Sequence, residues 1–245
     1  MQNRNVELVV ISDVHLGTFG AQARKLYQYL CSIRPETLVL NGDFIDFWQL
    51  NTYYWPESHQ LVLEKLRDYL EQGVNLYYLP GNHDDVLRRF TFSSLLRFRL
   101  VNELELDLQG KKAWFIHGDV YDFTMKSKLV TKLGTVSYGA AVLINKAVNA
   151  LWTPLTGREV RFSKALKGWV KKKVRSMDDF QQKAIDAAAA KGMDYVVCGH
   201  NHFPEIKPVE SSGRSLLYLN SGDWIESLSA LEYHQGAWSL YYHEA

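Results

Sequence analysis

The sequence predicts a mixed α/β fold, of α+β character, in which two face-to-face mixed β-sheets are flanked by helices and interrupted by a helical insert. Short apolar, β-rich runs recur at 7–11, 37–40, 74–79, 112–117, 195–198 and 215–220, and each ends in a polar cluster. Helical periodicity fills 22–33 and 59–72, so the first third alternates strand and helix, as parallel strands joined by crossover helices do. Later, 104–108 turns at Gln109-Gly110 into 112–116, and 231–234 turns at Gln235-Gly236 into 238–242. These segments read as antiparallel hairpins, which makes the sheets mixed.

The whole chain, 1–245, is expected to be a single domain, since 245 residues with 47% apolar content suffice for one substantial core. The helical insert is placed at about 123–191. One stripe of it carries Leu129, Leu133, Val136, Ala140, Leu143 and Ala147, and another Phe162, Leu166, Trp169, Val170 and Val174. Residues 123–175 hold twelve basic residues against Glu159 alone, a net +11, which leaves −10 for the rest of a chain whose total is +1. The most apolar stretch, 139–151, is broken by Asn145, Lys146 and Asn149 and falls short of the roughly 18–20 residues a membrane-spanning helix needs. The N-terminus runs straight into the first strand, so no signal peptide and a cytoplasmic location are expected. Cys31 and Cys198 lie in apolar surroundings and read as packed thiols.

The chemistry lies where the strands end. Asp13-Val14-His15, Gly42-Asp43 through Asp46, Gly81-Asn82-His83-Asp84, His117-Gly118-Asp119 and Gly199-His200-Asn201-His202 each follow a strand, and loops after parallel strands converge on one sheet edge. Five of the eight histidines fall in these loops, whereas histidines scattered for packing would show no such preference. His59, His234 and His243 receive no role. Carboxylate, imidazole and amide ligands together suit borderline divalent ions, manganese first among them, with iron, cobalt or zinc as alternatives.

These five ordered blocks resemble the calcineurin-like metallophosphoesterase family, over about residues 8–223 outside the insert. The resemblance implies two metal ions. Asp13, His15, Asp43 and His202 would hold one; Asp43, Asn82, His117 and His200 would hold the other, with Asp43 shared. A pair of such ions lowers the pKa of water and polarises phosphoryl oxygens. His83 is placed to donate a proton to the leaving oxygen, with Asp84 orienting its imidazole. Asp46 and Asp119 are expected behind the ligands, since a metal-bound imidazole gives its second N–H to a carboxylate or carbonyl.

Within that superfamily the chain is most similar to the UDP-2,3-diacylglucosamine pyrophosphohydrolases of lipid A synthesis, in which a helical insert occupies the matching place. The implied substrate is a nucleotide-linked glycolipid, cleaved to lipid X and UMP. It would need cationic groups beside apolar surface, for which Arg158, Arg161, Lys164 and Lys167 are the candidates. Their spacing is that of a basic amphipathic helix, which reads either as peripheral contact with the anionic inner face of a membrane or as a solvated face or dimer interface. His83 departs from this group, whose best-known members carry Arg there. A phosphodiesterase or nuclease acting on nucleotides or another phosphoester is the alternative, though the basic segment lacks the surface aromatics of a single-strand channel.

Overall fold

The computed structural model describes residues 4–50, 54–91, 94–95, 97–122 and 179–244. The chain divides into two compact units, one of residues 1–119 with 184–245, the other of 120–183. The helical insert expected at about 123–191 therefore falls largely outside the described residues, as do both of its apolar stripes and its basic side chains. Of that span, residues 179–191 are helical, and 184–191 belong to the larger unit.

The larger unit is built from β1 (Arg4–Ile11), α1 (Ala23–Ser32), β2 (Ile33–Asn41), α2 (Glu57–Glu71), β3 (Asn75–Leu79), β4 (Ser94–Leu95), β5 (Phe98–Leu100), β6 (Leu104–Leu108) and β7 (Lys111–Phe115). It continues with β8 (Tyr195–Cys198), β9 (Glu205–Ser211), β10 (Arg214–Asn220), β11 (Ser229–His234) and β12 (Ala237–Tyr242). Seven strands form one sheet in the order β12-β11-β1-β2-β3-β5-β4, and five form the second in the order β6-β7-β8-β10-β9. In the first, β1, β2, β3 and β5 are mutually parallel; in the second, β7, β8 and β10 are. Antiparallel hairpins lie at the margins, and both predicted ones, β6–β7 and β11–β12, are present. Three strands escaped the pattern reading: the short β4 and β5, and β9, an edge strand whose Lys207 and Pro208 protect it from pairing further.

Burial on both faces explains why β1 reads as an almost unbroken apolar run. Val9 and Ile11 face α1 and α2 with Leu38 and Leu40, while Leu8 and Val10 pack with Val39 and Leu79 against Ala113, Phe115, Val197 and Leu219 of the second sheet. α1 turns Leu26, Tyr29 and Leu30 inward, and α2 turns His59, Val62, Leu66 and Tyr69, each at helical spacing. No helix among the described residues is long and apolar enough to cross a membrane.

The ends of the central strands are stitched together by side chains. Asn41, the last residue of β2, donates from Nδ2 to the carbonyls of Ile116 (3.0 Å) and Val197 (3.5 Å). The Ser12 hydroxyl, just past β1, donates to the Gly222 carbonyl beyond β10 and lies 2.7 Å from the Ser221 hydroxyl. Hence the C-terminal ends of β1, β2, β7, β8 and β10 meet at one edge. Phe115 is fully buried between the sheets. Phe115→Ala should lower unfolding free energy by about 3–5 kcal/mol in urea titrations; a loss under about 1 kcal/mol would show that the inter-sheet layer closes over the gap.

Candidate metal centre

Loop-to-loop hydrogen bonds extend the ladder past the strands and set the site's backbone. Asp13 N–H donates to the Gly42 carbonyl (3.0 Å), His15 N–H to that of Asp43 (2.9 Å), Phe47 N–H to that of His83 (3.0 Å) and Gly199 N–H to that of His117 (3.1 Å). Asp13, His15, Asp43, His200 and His202 all adopt left-handed φ, between 52° and 69°. L-residues rarely sit there, and such strain concentrates where a side chain must be aimed.

Three glycines clear the space between these loops. A Cβ on Gly42 would lie 2.1 Å from His117 Nδ1; on Gly81, 2.3 Å from Asp43 Oδ1; on Gly199, 2.8 Å from Asp13 Oδ2. The glycines flanking the histidine and aspartate blocks are thus spatial requirements.

Six of the seven predicted ligands, Asp13, His15, Asp43, His117, His200 and His202, fall into overlapping groups of ligand atoms. Asp13, His15 and His202 present ligand atoms within 4.8 Å of one another, as do Asp43, His117 and His200, and also His15, Asp43 and His83. His202 Nε2 lies 3.2 Å from Asp13 Oδ1, and His117 Nε2 lies 3.4 Å from Asp43 Oδ2. His200 donates its backbone N–H to Asp13 Oδ2 (3.0 Å), and its ring lies 5.3 Å from that of His117.

Asp13 Oδ1, His15 Nε2, Asn82 Oδ1 and His117 Nε2 are buried and form no hydrogen bond, although Asp13 Oδ1 and His117 Nε2 stand in the ion pairs just given. Buried polar atoms without partners are rare and costly. Of the eight such atoms among the described residues, these four, on three loops, lie on predicted ligands and form a donor set that divalent cations satisfy.

The far nitrogens of three of the imidazoles are occupied. His15 Nδ1 lies 3.2 Å from Asp46 Oδ2, His117 Nδ1 donates to the Asn41 carbonyl (2.8 Å), and His202 Nδ1 lies 3.4 Å from Asp223 Oδ2. With Nδ1 held, Nε2 is left as the ligand nitrogen. Asp223 and Asn41 escaped the sequence reading. Asp223 follows Gly222 just after β10, the same Gly-Asp after a strand that marked Asp43, so the signal was present. Asp119 departs from expectation: it takes a bidentate bond from Arg88 Nη2 (2.8 and 2.9 Å), which also reaches the Pro80 carbonyl.

His83 and Asp84 require a correction. His83 Nδ1 pairs with Asp46 Oδ2 at 2.9 Å, so Asp46, not Asp84, orients the imidazole. The carboxylate of Asp84 accepts from the backbone N–H groups of Gly81 (2.5 Å), Asp43 (3.3 Å) and Phe44 (2.9 Å) and from the Tyr78 hydroxyl (2.5 Å). Neighbours in sequence, the two side chains serve different loops: Asp84 braces the backbone under Asp43. His59, given no role, accepts the Gly17 N–H at Nδ1 (3.1 Å) and anchors the turn after His15.

Electrostatics follow from burial. Burial would raise the carboxyls of Asp13 and Asp43, yet His202 and His117 hold Asp13 below, and His117 and His15 hold Asp43 well below, the ordinary range. Burial would lower the imidazoles, but Asp43 draws His117, and Asp13 draws His202, up to about 10. Burial and the nearby Asp43 charge push Asp84 up to about 6. The site is a compact negative trap for positive charge.

Arg158, Arg161, Lys164 and Lys167, the predicted substrate contacts, lie outside the described residues.

The sequence profile of the calcineurin-like phosphoesterase family matches residues 6–204. The UDP-2,3-diacylglucosamine hydrolase of Stenotrophomonas maltophilia (strain K279a) is 25% identical over 239 residues, covering 94% of this chain and 96% of its own. That of Aliivibrio fischeri (strain MJ11) is 24% identical over 246 residues, covering 96% and 97%. Among solved structures, an archaeal phosphodiesterase aligns over 96% of this chain and 98% of its own, at 12% identity and a TM-score of 0.46.

Gly81→Ala drives a methyl group against Asp43 and His117. Bound manganese, measured by elemental analysis after dialysis, should fall to near background while the circular dichroism spectrum is retained. Full metal occupancy in that variant would show that these two side chains do not share an ion.

Proposed function

This chain belongs to the calcineurin-like phosphoesterase family, and we propose that it hydrolyses the pyrophosphate of UDP-2,3-diacylglucosamine, giving lipid X and UMP in lipid A biosynthesis. It is a metal-dependent phosphoester hydrolase. The observation that carries the metal chemistry is the convergence of carboxylate and imidazole ligand atoms within 4.8 Å of one another past the strand ends, four of the proposed ligand atoms being buried without a hydrogen bond. The substrate reading is supported by the two relatives named above, whose likeness runs through almost the whole of each chain.

In this reading Asp13, His15, Asp43 and His202 hold one divalent ion, and Asp43, Asn82, His117 and His200 hold the second, manganese being the natural occupant. Such a pair supplies Lewis acidity to the phosphoryl oxygens and an activated water. The protein's part is placement. Asp46, Asn41 and Asp223 fix the tautomers of His15, His117 and His202 by engaging Nδ1. Asp46 Oδ2 holds His83 Nδ1 as well. Burial lowers that imidazole's pKa, but the Asp46 bond and the Asp43 charge raise it overall, so the ring as imidazolium gives its Nε2 proton to the leaving oxygen and keeps the one on Nδ1. Asp84 acts through the backbone of residues 81–84 and 43–44.

Two further elements complete the proposal. Arg158, Arg161, Lys164 and Lys167 contact the substrate's anionic groups, and the same basic segment rests on an anionic membrane face, with the protein on the cytoplasmic side.

Metal-free protein restored with manganese should cleave UDP-2,3-diacylglucosamine faster than bis-para-nitrophenyl phosphate, a chelator should abolish both activities, and Asp43→Ala should be the blank. Turnover of the generic diester alone would uphold the phosphoesterase chemistry and reject this substrate. Flotation with phosphatidylglycerol liposomes should exceed flotation with neutral ones and weaken on Arg158→Ala with Arg161→Ala; no lipid dependence would remove the membrane element.

A further inference from the structure

Among the described residues, the imidazole of His83 has one hydrogen-bond anchor and two ring neighbours. Its Nδ1 is held by Asp46 Oδ2 at 2.9 Å. The indole of Trp48 lies over it, with ring centroids 4.2 Å apart and planes 31° from parallel, while His15 meets it edge-on at 4.6 Å and 85°. A ring tethered at one nitrogen can still rotate about its side-chain bonds, and an aromatic face laid against it restricts that rotation.

The same carboxylate places both rings. Asp46 Oδ1 accepts the backbone N–H groups of Trp48 and Gln49, each at 2.9 Å, so it caps the turn that carries the indole. Asp46 Oδ2 meanwhile meets His83, His15 and the Gln49 amide. Next along the chain, Phe47 N–H donates to the His83 carbonyl at 3.0 Å and locks the two loops in register. Nothing in the ligand blocks of the sequence singles out Trp48. Its place is an outcome of the turn.

We propose that Trp48 is a positioning residue for this hydrolase: it clamps the His83 imidazole against Asp46 and so aims Nε2 at the leaving oxygen. The inference rests on the role of His83 proposed above. Among the described residues the aromatic ring paired with Trp48 is that of His83, so its effect on the reaction should pass through His83.

The test uses the full chain loaded with manganese and two diesters that differ in leaving group. Phenoxide from methyl phenyl phosphate needs a proton as it departs, whereas nitrophenoxide from methyl para-nitrophenyl phosphate does not. On the phenyl diester, Trp48→Ala should lower kcat roughly 3- to 10-fold, the scale of one lost aromatic pair, with KM nearly unchanged. The loss should be smaller on the nitrophenyl diester, and Trp48→Phe should recover most of it. His83→Gln should cost roughly 100-fold or more on the phenyl diester, and adding Trp48→Ala to it should change kcat no further. A raised KM with intact kcat, equal losses on both diesters, or losses that multiply in the double variant would each overturn the clamp. If His83→Gln alone leaves kcat at the wild-type level, the proton-donor role of His83 falls first and the kinetic claim for Trp48 falls with it, which separates that failure from a failure of the clamp.

Discussion

Two carboxylates, Asp13 and Asp43, are buried within one cluster, and the surrounding structure is arranged to make that tolerable. Moving a lone carboxylate out of water costs several kcal/mol even after relaxation, and a second one nearby adds repulsion. Only positive charge at short range offsets such a cost. His202 against Asp13 and His117 against Asp43 supply part of it, at 3.2 and 3.4 Å. His15 Nε2 and Asn82 Oδ1, buried without a hydrogen bond, add to a donor set that divalent cations would satisfy. Asp84, close by, shows the other solution: three backbone N–H groups and a tyrosine hydroxyl converge on it, and its pKa still rises to about 6.

Holding charged side chains so close demands a backbone that gives way. Five of the predicted ligands accept left-handed φ, and Gly42, Gly81 and Gly199 remove the side chains that would occupy the same space. The rigid part is behind them. β1, β2, β7, β8 and β10 end together, tied by Asn41 and Ser12, so strain in the loops is resisted by two packed sheets. Asn41 serves twice, its amide joining the sheets and its carbonyl taking the His117 Nδ1 proton.

Much of this was legible in the sequence, for physical reasons. Central strands buried on both faces leave continuous apolar runs, and a run that stops at Gly-Asp or Gly-His announces a loop with a task. The seven proposed ligands stand out in the sequence because residue type and strand end coincide at each. Contacts between loops were not. Asp84 follows His83 in the chain and invited pairing with it, yet consecutive side chains diverge, and the partner Asp46 arrives through a different loop brought alongside by the Phe47 amide. Asp223 stood in a Gly-Asp pair without a histidine block to draw notice to it. β9 was hidden because an edge strand carries charge and proline where a central one carries valine.

The cluster gathers groups from Asp13 to Asp223, nearly the length of the chain, and this separation sets an order of assembly. A polypeptide made from its N-terminus releases Asp13, His15, Asp43, Asn82 and His117 well before His200, His202 and Asp223 exist. An unfinished chain therefore offers a cation carboxylates and imidazoles on loops that nothing yet holds in register. An ion caught at that stage is loosely held and free to exchange. The proposed ligand set is complete only when the His200–His202 loop comes to rest on Asp13, so any discrimination among metals would belong to the finished fold rather than to the growing chain.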